Sequence, residues 1–149
     1  MKRTLAAAVI LILFTTQLKA QILTPVTWSY GAKKISATEA VVFLKATIED
    51  GWHVYSQFVK EGGPIKTSFT FNPSGSYSLI GKTSEPKPIM RMEKVFGMEV
   101  GYFEKTVIFQ QKIRLKKGQA VIKGTLEYMT CNDQKCLPPS SEQFSIPVK

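Results

Sequence analysis

The sequence predicts an all-β domain, built as a sandwich, on three observations. From Val26 onward apolar residues recur at a spacing near two, β-branched and aromatic types are prominent, and turn residues interrupt the pattern at short intervals. In chain order the expected strands cover residues 26–30, 40–49, 53–56, 67–72, 77–80, 104–115, 119–129 and 144–148. Trp28 lies in the first of these runs and Trp52 immediately precedes the third, and both are assigned to packing rather than to ligand stacking. The clearest alternation sets Thr106, Ile108, Gln110 and Lys112 against Val107, Phe109, Gln111 and Ile113, imperfect at Ile108 and Gln111. The second set is the core face. Lys116, Lys117 and Gly118 then make a tight connection into 119–129, so these two long strands are expected to pair as an antiparallel hairpin.

Residues 81–101 depart from this regularity. Pro86, Pro88 and Gly97 break any strand, yet the stretch carries Ile89, Met90, Met92, Val95, Phe96 and Met98. Such an apolar irregular segment must cover something, either as a connection across the core or as a lid over a site. Outside the first twenty residues no segment sustains a helical period, and no repeat or low-complexity linker divides the chain. Residues 21–149 are therefore expected to form one domain.

The first residues indicate export. Lys2 and Arg3 precede an uncharged apolar run over 5–14, about half the roughly twenty residues that a helical membrane span requires. Residues 1–20 are expected to be a signal peptide cut after Ala20, leaving an exported chain without membrane insertion. Loss of Lys2, Arg3 and Lys19 takes the formal net charge from +9 to +6. The remaining lysines are scattered along alternating strands rather than clustered with aromatics, which argues against a nucleic-acid groove. With one histidine in the chain, His53, a hydrolytic triad has no support, and Cys131, Cys136 and His53 fall short of the four ligands of a structural zinc. No metal and no cofactor are expected.

Chemistry concentrates at Cys131-Asn-Asp-Gln-Lys-Cys136-Leu-Pro-Pro139. A reversal through Asn132 and Asp133 brings the two cysteines within disulfide reach, and export to an oxidising compartment lets the bond persist. Pro138 and Pro139 cannot donate to a ladder, so Cys136 is expected at an edge that another protein can approach. Closing so short a loop removes only about 2 kcal/mol of unfolded-chain entropy, which makes the pair a poor staple. Exchange requires an accessible thiolate, and Lys135 beside Cys136 favours one. At this level redox exchange and an inert staple both remain open.

The segment from Tyr128 to Pro139 resembles the amino-terminal periplasmic domain of the thiol:disulfide interchange protein DsbD, a disulfide bond corrector family. Two further stretches are similar to it: Gly51-Trp-His-Val-Tyr55-Ser, like the aromatic strand beside the family's cysteines, and Glu93-Lys-Val-Phe96-Gly97, like its cap loop. The resemblance covers essentially the whole chain after the signal. It implies an immunoglobulin-like β-sandwich acting as a thiol:disulfide oxidoreductase, with Cys136 forming the mixed disulfide and Cys131 resolving it. Tyr55 matches an active-site tyrosine, His53 stands where the family often has another tyrosine, and Glu93 matches an acidic cap residue. The aromatic cap residue falls on Val95 or Phe96, of which Phe96 supplies the ring. The implied partners are thioredoxin-like proteins and a membrane electron-transfer protein on the reducing side, and oxidised periplasmic disulfide isomerase or cytochrome-maturation proteins on the other. The membrane and thioredoxin-like domains into which full proteins of the family continue are absent from this sequence, which implies a stand-alone version or a fragment. The rival reading is an exported, non-enzymatic β-sandwich that binds a partner and carries an inert local disulfide.

Overall fold

A computed structural model describes residues 22–149, so the signal peptide assigned to 1–20 lies outside the described residues. The strands, in order, are β1 (Val26–Lys34), β2 (Glu39–Ile48), β3 (His53–Tyr55), β4 (Ser68–Phe71), β5 (Tyr77–Ser84), β6 (Ile89–Glu93), β7 (Met98–Phe103), β8 (Thr106–Leu115), β9 (Ala120–Tyr128), β10 (Thr130–Cys131) and β11 (Ser140–Val148). They form three antiparallel sheets, ordered β1-β2-β8-β5, β11-β9-β4 and β10-β3-β7-β6. The first two face each other as a sandwich. Leu44, Phe109 and Ile113 from one sheet pack with Ile122, Leu126, Phe144 and Ile146 from the other, and each is no more than 4% exposed. Trp28 bridges the layers, its ring centroid 6.0 Å from Phe109 and 5.4 Å from Tyr128. Trp52 belongs to the same core, as its packing assignment required.

The third sheet grows out of one end of the sandwich because three strands run on into it. β2 turns into β3 past Gly51, whose φ of 83° suits a residue without a Cβ; β7 turns into β8 through Lys105 at φ 61°; and β9 continues past Met129 into β10. This sheet has its own smaller core of Tyr55, Val100, Tyr102 and Cys131, against which Val59, Met98 and Met129 pack. One cysteine is thus a core residue of the sheet that carries it.

The core face of β8 is the one the alternation predicts, since Val107, Phe109, Gln111, Ile113 and Leu115 are all buried. Gln111 is tolerated there because its amide nitrogen donates to the carbonyls of Ile80 (3.2 Å) and Lys112 (2.8 Å) and its oxygen accepts from Thr83 Oγ1 (2.9 Å). The bonds with Ile80 and Thr83 satisfy β5 where its register slips between Ile80 and Ser84.

Two expectations need correction. β8 and β9 do not pair as a hairpin: β8 lies between β2 and β5, whereas β9 lies between β11 and β4. The Lys116 amide donates to the Ser76 carbonyl, so the chain stays with β5 before it crosses between layers at Gly118. Nor is 81–101 irregular throughout. β5 extends to Ser84, Pro86 and Pro88 occupy the connection, and β6 and β7 form a hairpin that turns at Gly97 (φ 63°). The breakers sit between short strands, and β6, an edge strand, has no fully buried residue.

Candidate active site around the cysteine pair

Cys131 and Cys136 face each other across a miniature hairpin and form a disulfide, with Cα atoms 4.0 Å apart. Leu137 N donates to the Thr130 carbonyl at 2.9 Å and Asn132 N to the Lys135 carbonyl at 2.8 Å, so the cysteines occupy a non-hydrogen-bonded pair. That is the position where opposing side chains lie closest. Asn132 also builds the turn, its Oδ1 accepting the amides of Gln134 (2.9 Å) and Lys135 (2.8 Å). The two sulfurs differ sharply in access. Cys131 is 2% exposed within the third sheet, whereas Cys136 stands exposed ahead of Pro138 and Pro139.

Register fixes what lies beside Cys131. It pairs with His53 across β10 and β3, an alignment held by the Thr130 hydroxyl donating to the His53 carbonyl at 2.9 Å. Tyr55, two residues on, shares the His53 face, and Tyr102 lies opposite Tyr55 on β7. The His53 ring sits 5.2 Å from Tyr55 and 5.0 Å from Tyr102 between centroids. Its Nε2 lies 3.2 Å from the Tyr55 hydroxyl and 3.5 Å from Arg91 Nη2. A guanidinium can only donate, so the Arg91 contact suits a neutral ring whose Nε2 accepts. Burial, then the Arg91 charge, lowers the His53 pKa below its ordinary value, and burial, then the Glu93 charge, pushes Tyr55 up to about 12. The polar groups beside Cys131 on β3 are therefore uncharged at neutral pH.

The charges come from β6. Arg91 and Glu93 share the face turned toward the cysteines, with Arg91 Nη2 and Nε 2.6 Å and 3.0 Å from Glu93 Oε1. The guanidinium carbon lies 4.8 Å from the Tyr102 ring centroid, and Nη1 reaches Asp133 in the cysteine turn at 3.4 Å. The hydrogen bonds to Glu93 are the main reason the Arg91 pKa rises. Beyond Glu93 the turn 94–97 forms the far wall of a cleft of about 630 Å³ whose floor is His53, Tyr55 and the disulfide.

The structure thus brings Cys131, Cys136, His53, Tyr55, Glu93, Val95 and Phe96 around one cleft. Along this turn, however, the apolar residues divide. Val95 is 88% exposed and does not pack over the disulfide, while Phe96 is half-buried and Met98 packs against the cluster that holds Cys131. The sequence reading missed Arg91, Tyr102, Thr130 and Asp133. Arg91 and Glu93 at a spacing of two carry the signal, which is visible only once β6 is recognised as a strand. Chemically, the arrangement presents an exposed sulfur to an incoming thiolate and keeps its partner inside an uncharged aromatic wall.

The family model for the N-terminal domain of thiol:disulfide interchange protein DsbD matches residues 19–147. No curated protein matches the chain. Among solved structures, the reduced DsbD N-terminal domain of Neisseria meningitidis is similar with a TM-score of 0.54 at 19% identity, over 78% of this chain and 82% of that one. A complex between the DsbD and PilB N-terminal domains from Neisseria meningitidis gives 0.55 at 18% identity, over 84% and 87%. The N-terminal periplasmic domain of ScsB from Proteus mirabilis gives 0.57 at 18% identity, covering 85% of this chain and 49% of that one. The shared fold is an immunoglobulin-like β-sandwich.

Proposed function

Because the chain belongs to the family of DsbD N-terminal domains, we propose that this thiol-disulfide exchange domain relays electrons in the periplasm, taking them from a thioredoxin-like reductant served by a membrane electron-transfer protein. The acceptors are oxidised periplasmic proteins such as a disulfide isomerase or cytochrome-maturation proteins. The observation that carries the reading is the asymmetry of one disulfide, with Cys136 exposed and Cys131 buried beside His53.

A donor thiolate attacks Cys136 Sγ, the Cys131–Cys136 bond breaks, and Cys131 leaves as a thiolate that takes up a proton. The donor's second thiolate then attacks its own sulfur in the mixed disulfide. Cys136 is released as a thiolate, the donor departs oxidised by two electrons, and this domain is left as a dithiol. Discharge runs the same steps in reverse: Cys136 attacks the acceptor's disulfide, and Cys131, deprotonated, displaces the reduced acceptor. Lys135, adjacent and exposed, favours the anionic form of Cys136. Glu93 and the turn 94–97 that carries Phe96 act as a cap over the buried sulfur, and Tyr55 and His53 supply its uncharged surround.

Cys131→Ala should trap a thioredoxin-like partner on Cys136 as a long-lived mixed disulfide, resolved by gel electrophoresis without reductant. Trapping by Cys136→Ala in place of Cys131→Ala would reverse the two roles. A reduction potential below about −300 mV would instead mark the bond as an inert structural disulfide and favour the binding-module reading.

A further inference from the structure

β6 touches the cysteine turn through one polar side-chain contact among the described residues, that of Arg91 with Asp133. We propose that Arg91 is a positioning residue that fastens the cap to the disulfide turn, so that the Arg91–Asp133 ion pair sets how readily the oxidised pair is reached. This regulation rests on the exchange reading above.

The two sides of Arg91 are bound unequally. On the cap side two of its nitrogens hold one Glu93 oxygen, at 2.6 Å and 3.0 Å, and its plane lies against Tyr102. On the turn side it meets Asp133 only at 3.4 Å, and the Asp133 side chain is 88% exposed. When the cap lifts, the guanidinium therefore travels with β6, and the contacts that part are the ion pair with Asp133 and the 3.5 Å approach of Nη2 to His53 Nε2, of which the first is the one between opposite charges. A planar fork held by Glu93 and Tyr102 keeps its remaining donor aimed at the turn, which a flexible lysine ammonium would not do. An exposed ion pair is the right strength for a fastener that must open on every cycle, shifting an opening equilibrium by about two- to five-fold.

The test is the rate at which a neutral phosphine, tris(hydroxypropyl)phosphine, reduces the disulfide of the whole chain after export. A neutral reagent is chosen because deleting a carboxylate would by itself change the approach of an anionic one. Asp133→Asn should be reduced about two- to five-fold faster than the wild type. Arg91→Gln should also be faster, and the double variant no faster than the faster single one. Salt at 1 M shortens the screening length to about 3 Å, so it should raise the wild-type rate and leave Asp133→Asn unchanged. Equal rates for wild type and Asp133→Asn, or factors that multiply in the double variant, would overturn the fastener. Because Asp133 lies on the surface, Asp133→Asn leaves the core intact even if Arg91→Gln disturbs β6. Reduction of the wild type by reduced thioredoxin is measured in parallel: its failure removes the exchange reading, whereas its success beside an unaltered Asp133→Asn rate removes the fastener alone.

Discussion

At the scale of single residues, a neutral ring takes the place of a charge at His53. Its pKa is lowered, first by burial and then by Arg91, so the folded protein resists protonating it while the unfolded chain does not. A depressed histidine therefore contributes stability that is fully present above the ordinary value near 6.5 and is lost as pH falls below it. Arg91, Glu93, Glu104 and Asp133 all act on the ring, but burial and the cation outweigh the three carboxylates. Urea unfolding of the oxidised protein should accordingly show a midpoint that falls between pH 7 and pH 5, and His53→Phe should flatten that fall. A slope unchanged by the substitution would assign the acid sensitivity to other groups. The cysteines and His53 were legible in the sequence because spacing alone, or scarcity alone, singles them out. Arg91 and Asp133 were not, since nothing in a linear reading sets residues so far apart side by side.

The elements that bear the site are the least regular in the sequence, for a physical reason. β6 is an exposed edge strand with Ile89, Met90 and Met92 each about half exposed or more, so it lacks the burial rhythm by which β8 is recognised. The prolines and glycine around it then read as a loop, although they mark the ends of a hairpin. Within that hairpin the turn 94–97 is held by the Phe96 amide on the Glu93 carbonyl at 3.1 Å, and of the two apolar residues that line the cleft there Phe96 is half-buried while Val95 is 88% exposed. Under the proposed cap role, the half-buried Phe96 ring is the one expected to exclude reagents from the cysteines. Phe96→Ala should therefore speed alkylation of the reduced pair by iodoacetamide, whereas Val95→Ala should leave the rate unchanged, both variants keeping the wild-type circular dichroism. Equal rates in Phe96→Ala and wild type would leave Phe96 as an ordinary packing residue.

Across the whole molecule the hydrophobic core and the chemistry are kept apart. The large core lies between the two sandwich sheets, and the cysteines belong to the third sheet at one end. The strand pattern revealed the sandwich, because alternation along β8 and β9 reports burial on one face. It did not reveal their partners, since a short connection serves a hairpin and a crossing between layers equally well, and only the neighbours β2, β5, β11 and β4 decide between them. The separation has an energetic consequence. A disulfide that opens and closes in each cycle cannot also hold the fold together, and closing this short hairpin contributes only about 2 kcal/mol through the unfolded chain. Truncating a ring in the sandwich should do more: Phe109, fully buried against Trp28, Phe69 and Phe103, is expected to cost about 3–5 kcal/mol as Phe109→Ala. Urea unfolding with and without excess reductant should then give one cooperative transition in both states, displaced by about 2 kcal/mol or less, and Phe109→Ala should shift it further than reduction does. If reduction abolishes the cooperative transition, the Cys131–Cys136 bond is a structural staple and the exchange cycle has no folded dithiol state to pass through.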